Sequence, residues 1–238
     1  MTTHKQSSAV PFAQVSDGRL IDVSGFESGL ITDGICPECS GSLIAKKGDQ
    51  RVHHFAHYSK TNCVGALETC LHKAAKQVLV DSVKNGTSFF APAYGNSRAE
   101  KYKYRAIDRP LLNVDCEKTV FIPGQHRRPD ALAEREAGKL AIEVCVTNPM
   151  DEDRIHFYEQ AGLDCIEINL SHLAKQFING HGLLLAEVSD AVLRNPNIRE
   201  WRCRAEWVCA LIKADGSLDD VLPHFGKYTV GTASASTP

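Results

Sequence analysis

The sequence predicts an α/β protein, and three observations support that prediction. A segment with helical periodicity begins near residue 66, short β-prone segments follow it, and helical and β-prone segments then alternate. A segment rich in cysteine and histidine, with little apolar periodicity, precedes them. The 238 residues fit one large domain or two small ones, and a hydrophobic content of 43% is sufficient for a buried core.

The N-terminal quarter of the chain is expected to be a small β-rich unit. Residues 1–11 are mostly polar and are predicted to be unordered. Short apolar stretches between Phe12 and Leu30 flank Asp17-Gly18, which is a hairpin signal. Residues 34–65 cannot build a core alone, and a bound metal would supply the missing stabilisation. We therefore predict a β-hairpin and zinc ribbon over residues 12–65.

The α/β core is predicted over residues 66–180. Apolar residues recur at helical spacing from Ala66 to Lys84, and Asn85-Gly86 ends that helix. Ser171 is predicted to cap a helix that follows the last strand. The predicted strands are 101–105, 111–116, 120–122, 129–133, 139–147 and 164–170, with a helix over 151–161.

The C-terminal part is predicted to be a helical extension over residues 181–228, beginning with a helix over 184–193. Trp201 and Trp207, with Cys203 and Cys209, are expected to pack in an apolar stretch, because further metal ligands at suitable spacing are missing. Residues 229–238 are small and polar and are predicted to be unordered.

Composition excludes several classes of protein. The N-terminus has no apolar leader segment, and no run of about 18 apolar residues predicts a membrane span. The expected location is the cytoplasm, where the nine cysteines would stay reduced and a cluster of them indicates a metal. The formal net charge of -2 gives no bulk attraction for nucleic acid, so any such contact must use local basic clusters.

A zinc site is predicted from the spacing of cysteines and histidines. Cys36 and Cys39 form a Cys-x-x-Cys knuckle, and His57 and Cys63 supply a second pair of ligands. His54 is an alternative member of that second pair. The competing interpretation is scattered core cysteines with surface histidines, and a redox role is disfavoured because no thioredoxin-like strand precedes the knuckle.

Two carboxylates are placed where a divalent cation could bind. Asp130 follows Arg128-Pro129 at the start of a strand, and Glu143 interrupts an apolar strand. A carboxylate in a central strand is costly unless it is paired or binds a metal, and Mg²⁺ or Mn²⁺ prefers such oxygen ligands. The competing interpretation is that Glu143 pairs with an arginine.

A polar stripe on the first predicted helix points to the same site. Glu68, His72 and Lys76 follow one another at intervals of four residues and share one helix face. They could therefore act together on one phosphate group, although such a stripe is often only a solvated face.

Two basic segments are candidates for DNA contact. Arg127 and Arg128 lead directly into Asp130 and would flank a phosphate there. Lys101 and Lys103 share one face of an alternating strand, with Arg105. Charge that protects an edge strand is the other interpretation of that strand.

The ordered set of these motifs resembles the competence protein CoiA-like family over about residues 12–175. The resemblance rests on Cys-Pro-Glu-Cys at 36–39, His-His-Phe-Ala-His at 53–57, Cys63, Glu-Thr-Cys-Leu-His with Lys76 at 68–76, Arg-Pro-Asp at 128–130, Ala-Ile-Glu-Val-Cys-Val-Thr at 141–147 and Ile-Glu-Ile-Asn-Leu-Ser at 166–171.

The resemblance implies a restriction-endonuclease-like (PD-(D/E)XK) core, with a mixed central sheet flanked by helices and a zinc ribbon ahead of it. It implies catalytic roles for Glu68, Asp130 and Glu143 in a metal-dependent nuclease that processes DNA in uptake, recombination or defence. Cys145 stands where such nucleases usually have Lys or Gln, and a thiol supplies no positive charge. Lys76 could supply it from the helix. The alternative is an inactive nuclease fold that binds DNA or protein; a purely structural adaptor ranks last.

Overall fold

The computed structural model describes residues 9–50, 52–59, 63–91, 107–135, 138–195 and 198–203. The predicted strand 101–105, Trp207, Cys209 and the tail 229–238 lie outside these residues, as do residues 1–8. None of the described helices combines the length and apolar character that a bilayer-spanning helix needs.

The N-terminal unit is a six-stranded antiparallel sheet. Its strands are β1 (Ala9–Val10), β2 (Phe12–Gln14), β3 (Leu20–Asp22), β4 (Gly29–Ile35), β5 (Ser42–Lys46) and β6 (His54–His57). The strand order is β1-β6-β5-β4-β2-β3. Only Pro11 separates β1 from β2 in the sequence, yet three other strands lie between them in the order, so the sheet curls on itself.

The predicted hairpin around Asp17-Gly18 is confirmed. It consists of β2 and β3, and Gly18 adopts a φ of 87°, a left-handed conformation that glycine accepts without strain. The prediction of an unordered segment up to residue 11 is wrong at residues 9–10. Val10 is fully buried and pairs with Phe55 of β6, because its apolar side chain completes the sheet's inner face.

The helix α1 (Ala66–Lys84) has the bounds that the sequence predicts, with Asn85 as its C-cap and Gly86 at a φ of 61°. The elements that follow it are β7 (Ser88–Ala91), β8 (Ile107–Pro110), β9 (Asn113–Asp115), β10 (Val120–Ile122), β11 (Gln125–Arg127), β12 (Ala131–Arg135), β13 (Gly138–Cys145), α2 (Glu152–Gln160), β14 (Asp164–Asn169), α3 (Ser171–Ile178), α4 (Leu185–Arg194) and β15 (Arg199–Cys203).

The second main sheet has five strands in the order β15-β14-β13-β12-β9. β13 and β14 are parallel and are joined through α2, whereas the other neighbours are antiparallel, so the sheet is mixed. Side chains of α1, α3 and α4 share the core on one face with Ile142 and Val144. Phe157 and Tyr158 of α2 pack with Ala141 on the other face. The predicted α/β class is thus confirmed.

Two details of the C-terminal half differ from the sequence prediction. Ser171 is the first residue of α3 rather than its cap; the N-cap is Leu170, without a side-chain hydrogen bond. Residues 199–203 form β15 at the edge of the main sheet rather than part of a helical extension. Strand pairing with β14 determines this outcome, and helical periodicity alone does not reveal it.

The curled sheet and the main sheet share one continuous core. Phe12, Leu43 and Phe55 of the curled sheet are buried with Cys70 and Leu71 of α1 in the same cluster. The predicted boundary at residues 65 and 66 therefore lies where two parts pack tightly, and α1 is held from both sides.

Candidate functional site: a cysteine and histidine cluster beside a carboxylate network

The turn between β4 and β5 presents the first two candidate metal ligands. The backbone amide of Cys36 donates to the carbonyl of Gly41 over 2.9 Å, and the amide of Ser40 donates to the carbonyl of Cys36 over 2.9 Å. A Cβ atom at Gly41 would lie 3.3 Å from the Sγ of Cys39. The absence of a side chain at Gly41 therefore lets the turn close tightly around the thiols.

The second pair of ligands completes a compact group. The ligand atoms of Cys36, Cys39, His57 and Cys63 all lie within 4.8 Å of one another. The Sγ atoms of Cys36 and Cys63 are 3.8 Å apart, and Cys39 Sγ lies 3.3 Å from His57 Nε2. Two thiolates each about 2.3 Å from a tetrahedral zinc would be separated by about 3.8 Å. The donor set and its spacing therefore fit zinc, and the cluster could hold that ion.

His54 lies outside this group. Its Nδ1 is 2.8 Å from the carbonyl oxygen of Val52, at the start of β6. Of the two histidines that the sequence leaves open, His57 is the one that the structure places with the three cysteines.

The knuckle is attached to α1 by polar contacts. The hydroxyl of Thr69 donates to the carboxylate of Glu38, and Lys73 Nζ donates to the carbonyl of Pro37 over 2.8 Å. Lys73 also donates to Gln14 over 3.0 Å. These bonds fix the position of α1 relative to the cluster, and thereby the position of the polar stripe on that helix.

That stripe reaches the sheet along its length. Glu68 Oε1 accepts a hydrogen bond from the hydroxyl of Thr147 at 2.9 Å. One turn further on, His72 Nδ1 lies 3.2 Å from Asp130, and Lys76 Nζ lies 3.2 Å from the same carboxylate. The three side chains are partly exposed, but each contacts a residue at one end of the main sheet.

Asp130 is a firmly ionised carboxylate. Its Oδ2 accepts the backbone amide of Val144 at 3.0 Å. Burial alone would raise the pKa of Asp130, but the hydrogen bond and charge of His72, the Val144 amide and the charge of Lys76 outweigh burial and hold that pKa at about 2, below its ordinary value of 3.8.

Glu143 of β13 points toward α2 and pairs with an arginine. Arg154 Nε donates to Glu143 Oε1 over 2.8 Å, and the hydroxyl of Tyr158 donates to the same oxygen. Within the described part of the chain, no hydrogen bond reaches Oε2. Burial raises the pKa of Glu143 above its ordinary value of 4.5, although Arg154 and Tyr158 oppose that shift.

The three predicted catalytic carboxylates do not converge as the cysteines do. Among the described residues, the only group of three or more such ligands within 4.8 Å of one another is the cysteine and histidine cluster. The carboxylate oxygens of Glu68, Asp130 and Glu143 are therefore not all this close together. Each of them instead contacts a hydroxyl, an amide or a cation of the protein.

Cys145 does not supply the missing cationic charge. Its side chain is buried near Glu167 and Glu68, and burial followed by the charge of Glu167 raises the pKa of the thiol. The thiol is therefore neutral near pH 7. Lys76 is the cation that the structure places against Asp130.

Sequence reasoning missed a second buried carboxylate. Glu167 of β14 is the in-register neighbour of Glu143 and is also buried. It accepts the backbone amide of Met150 at 2.6 Å and lies 3.8 Å from Arg202 Nε. A glutamate between two isoleucines at 166–168 was the available signal, because an acidic residue inside an apolar strand needs a partner.

Of the two basic segments predicted to contact DNA, the structure describes one. Arg127 ends β11 and Arg128 follows it; both are exposed, and Pro129 separates Arg128 from Asp130. Arg128 pairs with Glu117 at 2.6 Å, and the guanidinium of Arg127 lies 5.7 Å from the ring centroid of Phe157. Lys101 and Lys103 lie outside the described residues.

The curled sheet with the cysteine and histidine cluster, which could hold a metal ion, is joined through α1 to an α/β core. Residues 33–65 match the family model described as competence protein CoiA, N-terminal domain. This match contains all four residues of the cluster and confirms the predicted resemblance in that segment. The match does not extend to α1 or to the carboxylates. No curated protein and no solved structure matches the chain.

Proposed function

We propose that this chain is a CoiA-like DNA-processing protein whose core is a PD-(D/E)XK nuclease that uses Mg²⁺ or Mn²⁺ to hydrolyse phosphodiester bonds. The observation that carries the proposal is the set of side-chain contacts between α1 and one end of the main sheet. The Glu68, His72 and Lys76 stripe contacts one end of the main sheet, where Asp130 directly precedes β12 and Glu143 lies on the neighbouring strand β13.

The residues at this end of the sheet suit an oxygen-preferring cation. Asp130 is ionised at neutral pH, and both described hydrogen bonds to Glu143 fall on one oxygen. Asp130 and Glu143 would hold the ion, with Glu68 on the helix side. When bound, the ion would activate a water molecule and stabilise the charge of the phosphoryl transition state.

Lys76 is proposed to do the work that Cys145 cannot do. Its Nζ lies 3.2 Å from Asp130 Oδ1, so it brings a positive charge to the carboxylates from α1. His72 holds the same carboxylate from one turn earlier on the helix. The mixed sheet flanked by helices is the arrangement that the family resemblance implies, and it also supports the proposal.

A cleavage assay on single- and double-stranded DNA with Mg²⁺ or Mn²⁺ tests this function. We expect Asp130→Asn and Glu143→Gln to lower the rate by roughly 100-fold or more, because each removes charge that would bind the ion. Lys76→Ala should lower it as well. The matched control is Glu134→Gln, which changes an exposed carboxylate on β12 and should leave cleavage unchanged. Zinc content, measured for every variant, reports whether the fold is intact.

A second function is favoured by the Glu143 contacts. Arg154 and Tyr158 already satisfy a Glu143 oxygen, and Cys145 replaces the usual cation. A core of this kind would bind DNA or a protein partner without cutting. Retained DNA binding with no cleavage of any substrate in either ion would favour this function over the nuclease.

A further inference from the structure

The hairpin formed by β10 and β11 has two different faces. Val120 and Ile122 pack against the apolar cluster of α2, and Gly124 at a φ of 78° forms the tip. Strand alternation turns Phe121 to the other side, where it is the cross-strand partner of His126. The hairpin is thus fixed to α2 by one face and presents two aromatic rings on the other.

Phe121 is unusually exposed for its size. Its exposed fraction is 74%, the highest among the large hydrophobic side chains that the structure describes. Its ring centroid lies 5.8 Å from that of His126, with 34° between the planes. An exposed phenyl ring adds nothing to the core. Two neighbouring exposed rings on a hairpin that packs against α2 do, however, offer aromatic surface suited to stacking.

The charge around the rings is opposite to that of the whole chain. Residues 117–128 contain three basic side chains, Lys118, Arg127 and Arg128, against the single acid Glu117, which gives a formal charge of +2. The chain as a whole carries -2. Arg127 Nη1 donates to the carbonyl of His126 over 3.1 Å, and its guanidinium lies 5.7 Å from the ring centroid of Phe157, so this cation is held on the α2 side of the same hairpin. Local cations beside exposed rings are complementary to a phosphate backbone with accessible bases.

The hairpin leads directly into the carboxylate network. Arg154 Nη2 donates to the carbonyl of Arg128 over 3.2 Å, and the same arginine binds Glu143. Asp130 follows His126 by four residues, which limits their Cα separation to about 14 Å. A strand that lies on the hairpin would therefore pass close to the proposed catalytic carboxylates.

From these contacts we infer that Phe121 and His126 form a stacking platform for single-stranded DNA, which guides unpaired bases toward Asp130 and Glu143. The substrate class rests on the proposed function. Unpaired bases are required because bases inside a duplex already stack on their neighbours and offer no free face. Arg127 and Arg128 would hold the adjacent phosphates.

Binding of a fluorescein-labelled 20-nucleotide oligothymidine, measured by fluorescence anisotropy at fixed salt without added divalent cation, tests the inference. We expect Phe121→Ala to weaken binding about 5- to 100-fold, and Phe121→Trp to bind as the unmodified protein does. A blunt duplex of the same length should respond less than about 2-fold to Phe121→Ala. The matched control is Ile178→Ala, which removes another exposed apolar side chain on α3 and should bind normally.

The outcomes separate this inference from the proposed function. If Phe121→Ala binds single-stranded DNA more weakly and the unmodified protein cleaves no DNA, the platform is supported and the nuclease is overturned. Cleavage together with single-strand binding that ignores Phe121→Ala would support the nuclease and overturn the platform. The platform would also be overturned if Phe121→Ala weakened binding of single-stranded and duplex DNA equally, or if the unmodified protein did not bind single-stranded DNA at all.

Discussion

The cysteine and histidine cluster and the carboxylate network differ in how their polar side chains are arranged. In the first, four metal-ligating atoms converge within 4.8 Å. In the second, Asp130 contacts His72 and Lys76, and Glu143 contacts Arg154 and Tyr158. The first arrangement could hold a metal ion, whereas the charges of the second are already neutralised by side chains of the protein. An ion entering the carboxylate network must compete with these internal cations.

Disruption of the cysteine and histidine cluster should lower the stability of the protein more than any other change considered below. We expect His57→Ala to abolish stoichiometric zinc binding and to lower Tm by roughly 10 °C or more, because metal binding contributes directly to folding. Metal analysis and thermal denaturation measure both quantities. His54→Ala is the matched control, since His54 lies outside the cluster. Equal zinc loss in both variants would contradict the assigned ligand set.

The ion pair between Glu143 and Arg154 can be removed by substitution of Arg154. Arg154→Ala should lower the free energy of unfolding by about 3 kcal/mol, at the low end for a broken buried pair, because the Arg154 side chain is 36% exposed. Urea denaturation of Arg154→Ala, Glu143→Gln and the double variant measures the coupling. We expect the double variant to be more stable than Arg154→Ala. Additive losses would show that the two side chains do not interact.

The pH dependence of stability reports the contribution of the ionised Asp130 carboxylate. Its pKa falls from 3.8 to about 2 on folding, so its stabilising contribution is complete above pH 4 and is lost as the pH falls toward 2. That contribution is about 2 kcal/mol. The difference in free energy of unfolding between the unmodified protein and Asp130→Asn should therefore narrow by about this amount between pH 5 and pH 2. A constant difference would argue against the His72 and Lys76 contacts.

The smallest effect is expected at Glu68. Its hydrogen bond to Thr147 is solvent-exposed, so Glu68→Gln should change the free energy of unfolding by less than about 1 kcal/mol. Urea denaturation checks this value. A loss of cleavage in this variant would then reflect chemistry rather than folding. A loss of several kcal/mol would instead make Glu68 a structural residue.

The two regions also differ in how well sequence predicts them. Cys36 and Cys39 are neighbours in one turn, so their spacing alone indicates the metal cluster, and amphipathic periodicity with Asn85-Gly86 gives the bounds of α1. Pairing of Glu143 with an arginine was the competing interpretation, but which arginine, and the contact with Tyr158, could not be predicted, because Arg154 and Tyr158 reach Glu143 only when α2 folds back over the sheet. The pairing of β15 with β14 depends in the same way on long-range contacts.

Manganese binding to the zinc-loaded protein is the decisive measurement for the carboxylate network. Electron paramagnetic resonance of free Mn²⁺ during a titration reports binding without any need for a DNA substrate. The proposed nuclease requires a Mn²⁺ site in the unmodified protein that disappears in Asp130→Asn while zinc content stays constant. Absence of Mn²⁺ binding at millimolar concentration, or binding that is unchanged in Asp130→Asn, would contradict a catalytic metal at Asp130 and Glu143.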